Sequence, residues 1–189
     1  MYRIQFHINF CAAYLSGSLF KTLGVKELCH LINKGELRVF IISAGYGLLD
    51  AFDPIHKYDA EMKGKIATHW KKAGLEDTIR EVCQQLQPKQ IYGFFAGSSL
   101  WNNAGAKYRY FYSAGVKKAL QDGLCIDNVG CFYRSEGKGT SAILKGLGRC
   151  FNDFVCSGYP INMLTKAQEN GLAYGNITIK YEELTNKGV

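Results

Sequence analysis

Hydrophobic positions along this chain switch between a period of two and a period near 3.6, and the switches mark its elements. "YRIQFHINF" (2–10) alternates polar and apolar residues, which predicts a strand. "GVKELCHLINKG" (24–35) predicts a helix stopped by Gly35. "LRVFIIS" (37–43) is an apolar, β-branched run of the kind buried on both faces of a parallel sheet. Helical spacing follows in "KIATHWKKA" (65–73) and in "LEDTIREVCQQLQ" (75–87), the second ended by Pro88. "KQIYGFFAG" (89–97) predicts a third core strand, and "AGVKKALQDG" (114–123) a helix. "CIDNVGCFYR" (125–134) predicts a fourth strand, bulged at Gly130. From 140 to 158 the spacing is helical but interrupted by Gly146 and Gly148, and "NITIKYEEL" (176–184) reads as an edge strand or a loop.

Strands that alternate with helices predict an α/β fold. The expectation is a single domain over residues 1–189, with a mostly parallel four-stranded sheet and helices on both faces. With 47% hydrophobic and 21% charged residues, the 189-residue chain has the composition of a folded globular protein. No apolar run approaches the roughly 20 residues of a bilayer span, and the first ten residues read as a strand, not a signal peptide. A cytoplasmic protein with no membrane partner is therefore expected.

Charge narrows the partners. A net charge of +7 favours a polyanion, nucleic acid first, although an ordinary basic surface would give the same sum. The seven cysteines form no CxxC pair, and no His/Cys/Asp grouping has metal-ligand spacing. Reduced thiols, no metal and no cofactor are the expectation.

In parallel α/β sheets the chemistry gathers beyond the carboxyl ends of the strands. In this chain those ends are Asn9–Cys11, "SAGYGLLDAFDPIHKYDAEM" (43–62), "AGSS" (96–99) and "RSEGKGTS" (134–141). One cleft lined by Asn9, Ser43, Asp53, Ser98 and Glu136 is expected.

The 43–62 stretch resembles the signature of the YaaA peroxide-stress family, roughly S-G-x-Y-G-x-L-x-P-x-D-x-x-x-P-Y-x-x-E-M. Ser43, Tyr46, Gly47, Leu49, Asp53, Tyr58, Glu61 and Met62 fall on matching positions without a gap. Short relatives with S-A-x-Y-G-L-L-x-x-x-D-x-I-x-x-Y-D also take in Ala44, Ile55 and Asp59. "FFAGSSLW" and "LKGLGR" are weaker echoes of later family motifs, while the family's S-P-A-K is absent and Lys57 replaces a proline. The resemblance implies a compact α/β protein that binds DNA, with no settled reaction.

The residues themselves suggest one reaction. A carboxylate among aromatics suits the oxocarbenium-like sugar formed when an N-glycosidic bond breaks. Asp53, between Tyr46, Phe52 and Tyr58, is the first candidate, and Asp50, Glu61 and Ser43 join it as candidate catalytic residues. Tyr46 and Tyr58, with Asn9, are candidates for gripping a base extruded from double-stranded DNA. Small parallel sheets with this strand count also resemble the uracil-DNA glycosylase architecture. Alternatively, Asp53 and Glu61 cap turns or pair with Arg and Lys.

Three further segments are candidate DNA contacts. The glycines around Lys138, with Thr140 and Ser141 opening a helix, form a phosphate cradle or a turn with a capping hydroxyl. "ILKGLGR" (143–149) is a helix-hairpin-helix turn with Lys145 and Arg149 facing phosphates, or one helix carrying two glycines. "KYRYFY" (107–112) interleaves Lys107 and Arg109 with aromatics, which suits a DNA strand or the core face of a β-strand. His56 as a general acid and Cys11 as a nucleophile are weaker candidates. The expected function is a DNA-binding protein that releases a damaged or modified base, in repair or in defence against modified foreign DNA. The alternatives are a non-catalytic DNA-binding stress protein and an enzyme acting on free nucleosides or nucleotides.

Overall fold

The computed structural model describes residues 3–8, 22, 25–54, 56, 58–97 and 105–184; at 3–8, 25 and 27 only the backbone is described. Among these residues, seven strands form one sheet: β1 (Arg3–Ile8), β2 (Leu37–Ser43), β3 (Gly47–Asp50), β4 (Gln90–Phe95), β5 (Asn128–Glu136), β6 (Leu172–Tyr174) and β7 (Ile177–Glu183). Six helices lie between them: α1 (Val25–Asn33), α2 (Gly64–Lys72), α3 (Leu75–Leu86), α4 (Tyr108–Gln121), α5 (Thr140–Cys156) and α6 (Ile161–Glu169). The strand order is β3-β2-β1-β4-β5-β7-β6. The four strands expected from the sequence, β2, β1, β4 and β5, form the parallel centre, and antiparallel strands extend it at both ends. The chain leaves β1 toward β2 and later returns to β1's other side as β4. The topological switch point therefore lies between β1 and β4, where open α/β sheets form their binding crevice.

Period-two burial divides the core into two layers. Along β4, Ile91 and Phe95 join Phe40 and Ile42 of β2 on the face covered by α2, α3 and α4. Tyr92 and Phe94 face the other way with Val39 and Phe132, under α5, α6 and α1. Leu75, Ile79 and Cys83 bury one stripe of α3, and Tyr108, Phe111, Tyr112, Val116 and Ala119 bury one stripe of α4.

That α4 stripe corrects the strand reading of 107–112. Positions 108, 111 and 112 follow helical spacing, so the segment opens a helix and does not interleave aromatics along a strand. Lys107 and Arg109 are buried, and Arg109 pairs with Glu182 and stacks on Tyr133 with its guanidinium 4.0 Å from the ring centroid. Neither cation faces solvent for a phosphate. Likewise α5 runs unbroken through 143–149, with Gly146 and Gly148 buried, so the hairpin reading gives way to the single-helix one. The bulge in β5 falls between Arg134 and Glu136, not at Gly130. "NITIKYEEL" supplies β7, which is an interior strand because the short β6 pairs beyond it through the Gly175–Asn176 turn. Neither β6 nor β3 stood out in the sequence, being three and four residues long.

The cysteines at 83, 131 and 150 are buried thiols. Burial pushes Cys83 up to about 12 and Cys131, despite the neighbouring Arg109 cation, up to about 11; it raises Cys150 as well. Unfolded thiols ionise near pH 8.5, at about 1.4 kcal/mol per pH unit for each displaced proton. Above that pH the unfolded chain has lost protons that the native chain keeps, so stability falls as pH rises. The urea midpoint is expected to drop steadily between pH 8.5 and 11; a flat profile there contradicts the burial of these thiols. Among the described residues no helix is long and apolar enough to cross a membrane.

Candidate functional site

Ser43 ends β2 at the carboxyl edge, and it is buried with only 2% exposure. Its Oγ accepts the backbone N–H groups of Gly45 (3.3 Å) and Tyr46 (3.1 Å), which turns the chain tightly into β3. The same oxygen shares a 2.7 Å hydrogen bond with the Tyr58 hydroxyl. The Tyr58 ring lies against Gly45, where an added Cβ would come within 3.0 Å of it. Tyr46 meets Tyr58 edge-on, with centroids 5.5 Å apart, and its hydroxyl accepts the His56 N–H at 3.0 Å. Trp70 of α2 closes the other side. Its Nε1–H donates to the Ala44 carbonyl at 2.7 Å, and its ring covers Gly47, whose φ of +77° favours glycine. The result is an aromatic clasp in which Tyr46 remains 37% exposed.

The acids are distributed differently from the sequence expectation. Ser43 pairs with Gly47 and Phe40 with Asp50, so β3 carries Asp50 back along the sheet edge by three residues, about 10 Å. There Asp50 accepts from Arg38 (2.8 Å) and from the Phe52 N–H (3.3 Å). Asp53 accepts the Asp50 N–H at 2.8 Å and is exposed. Both carboxylates hold a turn whose tip presents Phe52 at 61% exposure. Asp53 therefore does not share the carboxyl-edge cleft with Ser43, and the aromatic clasp does not enclose it. The chain then returns, placing His56 and Tyr58 against Tyr46. Glu61 follows with its side chain 67% exposed and 2.5 Å from Lys63. The next residue, Met62, is fixed at the start of α4 by its N–H to the Tyr108 hydroxyl (3.2 Å) and its carbonyl to the Lys107 N–H (2.8 Å).

A second part of the edge is built from β4 and β5. Arg134 donates from Nε to the Ala96 carbonyl (3.0 Å) and from a terminal nitrogen to the Gly137 carbonyl (3.4 Å). It thus ties the end of β4 to the glycine loop that holds Glu136 and Lys138, both exposed. The capping position of α5, where a Thr140 or Ser141 hydroxyl was expected, is taken by Gly139, which has no side chain to accept the first N–H groups. Lys145 and Arg149 are exposed on α5, in the opposite helical layer from Tyr58 and Trp70, and each turn of α5 carries them further from this edge.

Of the residues expected to converge, the structure brings Ser43, Tyr46 and Tyr58 together, while Glu61 pairs with Lys63 and Glu136 lies separately at the end of β5; Asn9 and Ser98 lie outside the described residues, as does Lys57. Trp70 and Arg134 were not anticipated. The sequence held a signal for Arg134, a cation at the end of a predicted strand and just before a glycine loop, but none for Trp70 beyond its size. No family model matches the chain, nor does any curated protein or solved structure. Among the described residues no group of three His, Cys, Asp or Glu could hold a metal.

Chemically, the edge offers a partly open aromatic face on a rigid turn, with the exposed Glu61 three residues beyond Tyr58 in the chain, and a cationic loop after β5. A planar base can stack on Tyr46, while Lys138 can meet an anion.

Proposed function

We propose that the protein binds DNA along the carboxyl edge of its sheet and hydrolyses an N-glycosidic bond there, releasing a damaged or modified base. The observation that carries this reading is the clasp, a half-open tyrosine locked at the end of a core strand in a chain of net charge +7. The extruded base stacks on Tyr46, and Tyr58 and Ser43 keep that ring in place. Glu61 accepts a proton from the attacking water, whose oxygen bonds to the sugar's anomeric carbon. The C–N bond breaks, and its electron pair leaves with the base, which takes up a proton from solvent. Water is the only co-substrate, and no cofactor is needed. The resemblance of 43–62 to a DNA-binding family points the same way, and the buried thiols at 83, 131 and 150 suit the reducing cytoplasm.

A specific observation favours the second reading, a non-catalytic DNA-binding protein: Asp50, Asp53 and Glu61 all have partners in the protein. Base stacking at the clasp, which both readings use, is tested directly. Tyr46→Ala removes the stacking face, worth about 1–3 kcal/mol per base, so binding to DNA with an unpaired base should weaken roughly 5- to 150-fold. Fully paired duplex should bind nearly as before, since phosphates carry that affinity. Equal losses on both DNAs would remove the base-stacking role.

A further inference from the structure

The face of α2 that turns away from the core was not among the expected DNA contacts. Ala67 is buried, and Ile66 and Trp70 pack on the same core, which sets the inward stripe. Lys65, Thr68, His69 and Lys72 follow i, i+3, i+4, i+7 spacing on the outward stripe, and all four are exposed. Together they line a shallow depression of about 310 Å³. No acid occurs anywhere in α2. Several cations elsewhere are committed to acids, Arg38 to Asp50, Lys118 to Glu76 and Asp77, and Arg80 to Glu81 and Asp122, while among the described residues Lys138, Lys145 and Arg149 are not. Lys65 and Lys72 have no ion pair among the described residues. Through Trp70, this helix is also bolted to the Ala44–Gly47 turn that carries Tyr46.

We infer that the outward face of α2 tracks the phosphate backbone of the DNA strand whose base reaches Tyr46. This rests on the nucleic-acid reading above and names the surface that performs it. Seven residues of helix separate Lys65 from Lys72, about 10.5 Å, enough to reach more than one phosphate of a strand. Two ammonium groups at that distance meet phosphates on either side of a short run of nucleotides. His69 adds a ring N–H between them. The Thr68 hydroxyl is already donated to the Gly64 carbonyl at 3.1 Å, so it supplies shape more than a donor.

The test is the salt dependence of affinity for a fluorescent duplex, measured by anisotropy on the full chain. Lys65→Ala/Lys72→Ala retains the helix, because alanine is the best helix former and both sites are exposed. Two lost phosphate contacts should flatten the slope of log affinity against log salt by about 1.8 on duplex and about 1.4 on a single strand. Lys65→Arg/Lys72→Arg should restore the parent slope. Lys145→Ala/Arg149→Ala removes the same charge from the opposite layer and should flatten it far less. An alanine variant with the parent slope, or equal flattening by the α5 pair, overturns the assignment to α2 while DNA binding itself stands. A parent protein with no salt-dependent DNA binding overturns both this assignment and the nucleic-acid reading.

Discussion

Gly47→Ala is expected to lower the unfolding free energy by about 2–5 kcal/mol, a large effect for a single methyl group. Two costs add. Residue 47 sits at φ +77°, where an L side chain is strained by about 1–2 kcal/mol. The new Cβ would also lie 2.7 Å from the Trp70 ring, which cannot retreat without breaking its bond to the Ala44 carbonyl. Overpacking of this kind costs about 1–3 kcal/mol. Gly64→Ala is the control, since it shares the positive φ (+49°) but has nothing within 4 Å. It should cost only about 1 kcal/mol. Denaturation midpoints measure both. If the two variants lose equal stability, Trp70 does not clamp the turn.

The second large effect is catalytic, and it reverses the order in which the sequence ranks the carboxylates, where Asp53 comes first. Glu61→Gln is expected to slow base release by at least about 100-fold, because a carboxylate beside a developing oxocarbenium ion and its attacking water supplies several kcal/mol. Glutamine keeps the size but neither the charge nor the ability to take the water's proton. Asp53→Asn should leave release within about threefold of the parent protein, since Asp53 is displaced along β3 from the clasp. It should instead cost about 1 kcal/mol of stability, by weakening the hydrogen bond that fixes the Phe52 turn. Single-turnover rates and urea melts on the same preparations report both quantities. Release lost in Asp53→Asn and retained in Glu61→Gln would reverse the roles of the two carboxylates.

The parallel centre of the fold was legible because its strands are long runs of β-branched or aromatic residues, which β2 and β4 bury on both faces. The antiparallel additions were not. β3 and β6 are too short to show a period, and β7 alternates cleanly, yet nothing in it says which neighbours it pairs with. "KYRYFY" shows why local alternation misleads. Tyr108, Tyr110 and Tyr112 alternate, but the buried set includes Phe111, Gly115 and Val116, and only the longer window reveals a helix. The acid-rich motif was read as chemistry because acids and aromatics crowd together in sequence. In space the antiparallel turn at Gly47 separates them, sending Asp50 and Asp53 one way while Tyr58 returns to Ser43 and Tyr46. Four of the eight residues that match the signature have a folding role: Ser43 holds the turn, Gly47 admits Trp70, Asp53 caps a backbone N–H, and Met62 is buried at the start of α4.

The most direct measurement is the appearance of free base. The protein is incubated with genomic DNAs that carry different base modifications, and the small-molecule fraction is read by mass spectrometry while abasic sites are counted in the polymer. At least one DNA is expected to yield a free modified base together with an equal number of abasic sites, with Tyr46→Ala and Glu61→Gln yielding neither. DNA that is bound but loses no base, across the whole panel, contradicts glycosidic hydrolysis and leaves a DNA-binding protein whose aromatic clasp serves recognition alone.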